Sequence, residues 1–116
     1  MILDCHGGKY SAISKVAANE TSYGHRNAIF KMEFYDRVQS GAYPSNGFSF
    51  LNGWVDAIEK AQGTGPLGMY INYADPTLSA ETAHKVYWPN TYERLSTIKT
   101  AYDPKKLFMN PQAINS

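Results

Sequence analysis

Lys31, Glu33 and Tyr35 stand at alternate positions of one short stretch, and Tyr70 and Asn72 at alternate positions of another. Side chains two apart on a strand point the same way and lie ~7 Å apart, so Lys31 and Glu33 can flank one small molecule or pair with each other. A cation near a phenol favours its ionised form, whereas a carboxylate opposes it. Tyr87 adds a further phenol, and His6, beside Gly7-Gly8, and His25-Arg26 have the chemistry to bind an anion or move a proton near neutrality. Each also has a plainer reading: a solvated ion pair, a packed aromatic ring, histidines that cap loops. The three histidines have no carboxylate or cysteine at ligand spacing, so no metal site is expected. There is no glycine loop of the kind that cradles phosphate and no nucleophile elbow.

Positioning these groups falls to a few readable elements. Met1 to His6 alternates as a short strand ending at Gly7-Gly8, with Ile2, Asp4 and His6 opposite Leu3 and Cys5. Tyr10 to Val16 reads as a brief helix or irregular segment, and Ala17 to His25, rich in Asn, Ser, Thr and Gly, as loop. Asn27 to Tyr35 is the clearest strand. Ala28, Phe30, Met32 and Phe34 make its oily face, and Asn27, Ile29, Lys31, Glu33 and Tyr35 the other. From about Phe48 to Gln62 the residues Leu51, Trp54, Val55 and Ile58 fall at i, i+3, i+4 and i+7, an amphipathic helix that Gly63 stops and that should cover the oily face. Gly65-Pro66 leads into an expected strand from Leu67 to Tyr73, which Asp75-Pro76 ends, and Ser79 to Lys85 reads as a short helix. The last helix starts near Thr91. Asn90 is its expected N-cap, with Glu93 completing a capping box. Leu95, Ile98 and Tyr102 form its buried stripe, Asp103-Pro104 stops it, and Leu107 and Phe108 should fold back as an apolar anchor. The pattern predicts an α+β fold: an open antiparallel sheet with helices packed on one face. About three strands leave the edges unpaired, so dimerisation or a partner chain is expected to complete the sheet.

At 116 residues the chain is read as one domain. A net charge of +1 gives no footprint for nucleic acid or an anionic membrane, so neither partner is expected. One cysteine, Cys5, excludes an internal disulfide framework. No signal peptide or apolar run of about 20 residues is encoded, so a cytoplasmic location is expected for the chain as given, and a secreted one if it is cut from a longer precursor.

The order of residues also carries a resemblance. Tyr87, Tyr92, Arg94-Leu95, Ile98-Lys99, Tyr102-Asp103-Pro104, Leu107-Phe108 and Pro111-Gln112 resemble the carboxyl end of berberine bridge enzyme-like FAD-linked oxidases. Tyr70-Ile71-Asn72-Tyr73-Ala74-Asp75 is similar to the family's Tyr-x-Asn-Tyr-x-Asp strand, and His25-Arg26 followed by Lys31-x-Glu33 to its substrate-domain strand. His6-Gly7-Gly8 resembles the turn before that strand. The family's FAD-binding domain has no counterpart in this sequence. The resemblance implies a substrate-side wall in which Tyr87 is the base, with Lys31 beside it lowering its pKa and Glu33 standing where the family usually has glutamine. Tyr35, Tyr70, Asn72, His25 and Arg26 are then implied as substrate-binding. Asn90 and Thr91 fall near the flavin, Thr91 in place of the family's asparagine and Pro89 in place of its turn glycine.

Three functions follow as expectations. The first is the substrate-side portion of an FAD-linked oxidoreductase acting on a small phenolic, polyketide-like or other secondary metabolite, with FAD supplied by a partner FAD domain. The second is a flavin-independent cyclase, cycloaddition catalyst or isomerase, closed by homodimerisation. The third is a non-catalytic binding partner.

Overall fold

In the computed structural model, which describes residues 1–63 and 67–116, two strands and three helices appear in the order β1 (Ile2–Cys5), β2 (Phe30–Glu33), α1 (Gly47–Gln62), α2 (Ala80–Tyr87) and α3 (Tyr92–Tyr102). Short 3-10 turns lie at Ile13–Lys15 and Ile71–Tyr73. β1 and β2 pair antiparallel, with Ile2 opposite Glu33, Leu3 opposite Met32, Asp4 opposite Lys31 and Cys5 opposite Phe30. That register puts Asp4, Lys31 and Glu33 on one face and Leu3, Cys5, Phe30 and Met32 on the other, the parity expected from the alternation. Where β1 ends, the His6 and Gly7 amides both donate to the Ile29 carbonyl, at 2.8 and 3.1 Å. A Cβ on Gly7 would sit 2.2 Å from the Ala28 carbonyl oxygen, so only glycine allows this approach.

The α+β class holds, but the sheet among the described residues has two strands rather than three. Gly65 and Pro66 lie outside the described residues. Leu67 to Tyr70 does not join the sheet, because other elements take its backbone groups. The Leu67 amide donates to Glu59 Oε1 on α1 at 3.0 Å, the Met69 amide to the Val86 carbonyl on α2 at 3.0 Å, and the Tyr73 amide closes a turn on the Tyr70 carbonyl at 2.9 Å.

α1 begins and ends where the apolar spacing places it, and the Gly63 amide caps it by donating to the Glu59 carbonyl. It does not cover the sheet. Leu3 and Phe30 on the oily face are 51% and 48% exposed, and Trp54 in the helix stripe is 48% exposed. α2 starts at Ser79, whose hydroxyl accepts the Thr82 amide, and runs on to Tyr87, so Tyr87 is its last residue and not part of a turn. α3 starts one residue later than expected. Thr91 occupies the N-cap position without a side-chain capping bond, while Asn90 is exposed, so the Asn90–Glu93 capping box is not formed. Only Leu95 of the expected α3 stripe packs on the core; Ile98 and Tyr102 face outward.

The core is small. Ala83, Tyr87 and Trp88 are buried, with Met69, Ile71, Leu78, Val86, Tyr92, Leu95 and Ile114 packed around them. The tail is sewn onto this core by polar bonds: the Ala113 carbonyl lies 2.9 Å from His84 Nε2, and Ser96 and Asn115 exchange two hydrogen bonds. The radius of gyration is 16.3 Å, against about 13 Å for a compact domain of this length. The accessible surface is 8689 Å², against about 6,300 Å² for a compact monomer of this mass. The fold is open, with apolar surface to spare.

Leu107 and Phe108 do not fold back as an anchor; they are 75% and 80% exposed. Their backbone is nonetheless pinned. The Asp103 carboxylate accepts from the Lys99 ammonium and from the Leu107 and Phe108 amides, the latter two at 2.7 and 3.0 Å. The Lys99 hydrogen bond, aided by the two amides, lowers the Asp103 pKa to about 2. A carboxyl group with a depressed folded pKa contributes stability above its unfolded value of ~3.9, and this is lost as pH falls through the folded value. Acidification from about pH 4 to 2 is therefore expected to release the Leu107 and Phe108 amides to hydrogen exchange. Asp103→Asn should expose them already at neutral pH and abolish the acid dependence.

Candidate functional site

Beside the polar face of the strand pair lies an open cavity of about 450 Å³, a size that admits a small ligand. β2 contributes Lys31, the segment after β1 His6, the loop before β2 Tyr23, His25 and Arg26, the turn before α2 Tyr70 and Asn72, and the end of α2 Tyr87. Leu67 to Tyr73 leads into the 3-10 turn at Ile71–Tyr73 instead of pairing, and it brings Tyr70 and Asn72 to the same cavity as Lys31.

Lys31 Nζ is held 3.6 Å from Asp4 Oδ2, its partner across the ladder, and sits 5.0 Å from the centre of the Tyr70 ring. Asn72 Nδ2 donates to the Tyr70 hydroxyl at 2.6 Å. The Tyr70 hydroxyl thus accepts one hydrogen bond, and its ring faces a cation. Tyr70 in turn meets Tyr23 edge-on, with ring centres 6.1 Å apart.

Tyr23 is the hub of the opposite wall. Its hydroxyl lies 2.5 Å from His6 Nε2, its ring edge meets His25, and the Arg26 guanidinium lies 5.2 Å from its ring centre. Burial raises the Tyr23 pKa, Arg26 partly opposes the rise and Tyr70 adds to it. Burial lowers the pKa of His25, and this outweighs the hydrogen bonds to the Met69 and Tyr87 backbone that raise it. His25 also depends on Gly68, since a Cβ there would lie 2.4 Å from His25 Nδ1. His25 Nε2 and Arg26 Nε are buried without a hydrogen-bond partner among the described residues.

Tyr87 reaches the cavity as a buried ring, but its hydroxyl is committed elsewhere. It accepts the Asp75 amide at 2.8 Å and donates to Gln112 Oε1 at 3.2 Å. Burial raises its pKa, the Asp75 amide works against that rise, and the Asp75 charge adds to it. This environment favours the neutral phenol and gives Tyr87 a structural task.

Of the residues singled out in the sequence, Lys31, Tyr70, Asn72, His25, Arg26 and Tyr87 line one cavity. Glu33 and Tyr35 do not: Glu33 pairs opposite Ile2 at the far end of β2, and Tyr35 lies beyond the strand and is 57% exposed. Asn90 is on the surface. Thr91 is buried away from the cavity, its hydroxyl donating to the Ser22 carbonyl at 3.3 Å, in a second recess with Glu20, Arg94 and Leu95. Tyr23 is the residue that sequence reasoning missed. It sits in a stretch legible only as loop, and no periodicity marks it.

The cavity offers aromatic edges, a cation over the Tyr70 ring and one amide donor on its hydroxyl. Nothing among its lining residues makes a dinucleotide cradle.

An α+β wall that gathers a phenol, an amide and an ammonium beside an open cavity is suited to taking a proton from a small polar substrate. Residues 69–115 match the family described as berberine and berberine like. The chain is 44% identical to the carbohydrate oxidase of Microdochium nivale over 97% of its own length and 23% of that protein's. It is 42% identical to the glucooligosaccharide oxidase of Sarocladium strictum, over 92% of this chain and 22% of that protein. The solved structure of a chitooligosaccharide oxidase superposes with a TM-score of 0.86 at 41% identity, covering 97% of this chain and 24% of the other. The carboxyl-terminal part of the chain thus carries the berberine-like family match, nearly all of the chain is similar to FAD-linked oxidoreductases, and it spans about a quarter of the length of the relatives it matches.

Tyr87→Phe is expected to lower stability by about 1–3 kcal/mol, because it leaves the buried Asp75 amide without an acceptor. The cavity should survive. Thermal unfolding of the variant, with ligand or flavin binding measured beside it, checks both halves of that expectation.

Proposed function

We propose that this chain is the substrate-facing wall of an FAD-linked oxidase that acts on a sugar hydroxyl, with Tyr70 as the proton acceptor. The observation that carries the reading is the pairing of Asn72 Nδ2 with the Tyr70 hydroxyl at 2.6 Å while Lys31 stands 5.0 Å from the same ring. The sugar replaces the phenolic or polyketide-like substrate expected from sequence, on two grounds. The similar proteins are named for carbohydrate, glucooligosaccharide and chitooligosaccharide oxidation. The cavity wall also alternates ring edges with hydrogen-bonding groups, which suits a molecule with both C–H faces and hydroxyls.

In this reading Tyr70 acts as tyrosinate: it takes the proton of the reacting hydroxyl and becomes the neutral phenol, with the Asn72 amide on its oxygen and Lys31 over its ring supporting the anion before the transfer. Asp4 holds Lys31 in place from the neighbouring strand. Tyr23, fixed by His6 and Arg26, orients the sugar from the opposite wall. Flavin, when bound, supplies the acceptor for the hydride that leaves the same carbon. The FAD-binding part comes from the parent polypeptide or from a partner chain. Tyr87 keeps the floor of the cavity in shape.

The test is a chimera in which this chain replaces the matching quarter of the Microdochium nivale carbohydrate oxidase. It should hold flavin and oxidise oligosaccharides in preference to simple phenols. Tyr70→Phe should lower kcat by roughly 10²–10⁴-fold with flavin content unchanged, the range associated with loss of a positioned proton acceptor. A Tyr70→Phe chimera that turns over at the parent rate would assign the proton transfer to another group.

A further inference from the structure

Tyr23 meets Tyr70 edge-on across the cavity, and its hydroxyl lies 2.5 Å from His6 Nε2. Two heavy atoms that close share one proton, so the pair has two arrangements. Either Nε2 carries a lone pair and Tyr23 donates to it, or Nε2 carries a hydrogen and donates to Tyr23. In the first the phenol oxygen is left to accept from a third group; in the second the phenol proton is left to be donated. The surroundings select between them. Burial pushes the Tyr23 pKa up, so the phenol keeps its proton and needs an acceptor for it. Among the described residues His6 Nε2 is the acceptor within hydrogen-bond reach. The charges around His6 act in the same direction. His6 and His25 oppose each other's protonation, and Arg26 and Lys31 are cations on the same cavity wall, with Tyr70 and Tyr87 its other titratable groups. Asp4, on β1, is engaged with Lys31. A neutral His6 with its hydrogen on Nδ1 fits this setting.

A sugar hydroxyl donates one hydrogen bond as well as accepting others. The cavity offers it donors in Lys31 and Arg26, but no carboxylate among its lining residues to receive its hydrogen. We propose that Tyr23 recognises the sugar as that acceptor, and that neutral His6, by taking the phenol proton on Nε2, fixes the direction of the bond. Protonation of His6 reverses it. Nε2–H then donates to the Tyr23 oxygen, the phenol proton turns toward the sugar, and one more donor joins a wall already rich in them. Tyr23 is thus a specificity-determining residue, and His6 a positioning residue that acts through it. Histidine changes charge between about pH 5 and 8, so sugar affinity falls as the pH drops through that interval. The inference rests on the proposed function for the identity of the ligand, whereas the direction of the His6–Tyr23 bond can be read without any ligand.

Two measurements test it. In the 116-residue chain, ring-nitrogen NMR shifts give the tautomer of His6 at about pH 8, where imidazole is neutral. The hydrogen should sit on Nδ1, and Tyr23→Phe should move it toward Nε2. A wild-type His6 that carries its hydrogen on Nε2 overturns the proposal. The second measurement uses the chimera described above, with cellobiose as the probe. Its KM should rise at least ~5-fold between about pH 7.5 and 5.5, the scale of one hydrogen bond, beyond any change in a His6→Gln chimera, whose amide does not titrate. Tyr23→Phe should remove the same dependence. The kcat, which contains the Tyr70 step, should follow one pH profile in all three. A KM that responds to pH equally with and without His6 overturns the proposal. A chimera that oxidises no sugar refutes the proposed function, and the tautomer then decides the present inference by itself.

Discussion

The small core of this protein closes around one buried hydrogen-bonded knot. Tyr87 is buried with its hydroxyl, and a buried hydroxyl without partners would offset much of what its ring contributes. Gln112 resolves the conflict. Its carbonyl takes the Tyr87 proton, and its amide donates to the Asp75 and Leu78 carbonyls at 2.6 and 3.0 Å. The Asp75 amide completes the set by donating to the phenol. Three segments far apart in sequence are thereby fixed to one another: the turn after Tyr70, the end of α2 and the carboxyl-terminal tail. The cavity floor is the underside of this knot, so the shape of the site depends on bonds that no ligand touches.

Much of this was legible beforehand, and the reasons are physical. Alternation along Met1–His6 and Asn27–Tyr35 specifies which residues share a face, because the pleat has a period of two, and the ladder register has that parity. The apolar spacing of α1 and its glycine stop reproduce the helix within a residue. What periodicity does not encode is which neighbour satisfies a backbone. Leu67 to Tyr73 alternates like a strand, yet its amides are taken by Glu59, Val86 and Tyr70. The same limit explains the outward α3 stripe. Ile98 and Tyr102 repeat with Leu95 as a buried face would, but they stay 43% and 87% exposed.

For the site, residue type located most of the wall. Lys31, Tyr70, Asn72, His25 and Arg26 meet as their motifs imply. Tyr87 lines the same cavity with its hydroxyl engaged by the Asp75 amide and Gln112, while the Tyr70 hydroxyl takes the Asn72 amide and its ring faces Lys31. Glu33 shares the polar face with Lys31 and still falls outside the cavity, because the cavity opens toward the β1 end and Glu33 lies at the other. Tyr23 left no trace in any pattern. Its importance comes from contacts with His6, 17 positions earlier, and with Tyr70 across the cleft.

That dispersal has a consequence for how the protein comes into being. Thr91 binds Ser22 across 69 positions, Gln112 binds Asp75 across 37, and β1 must find β2 before either wall of the cleft exists. Closing such wide loops is entropically slow, so helices mature first and distant partners meet last. The recess is therefore expected to be among the final products of the folding reaction. A nascent or partly refolded molecule with a full helical signal would still be blind to its ligand.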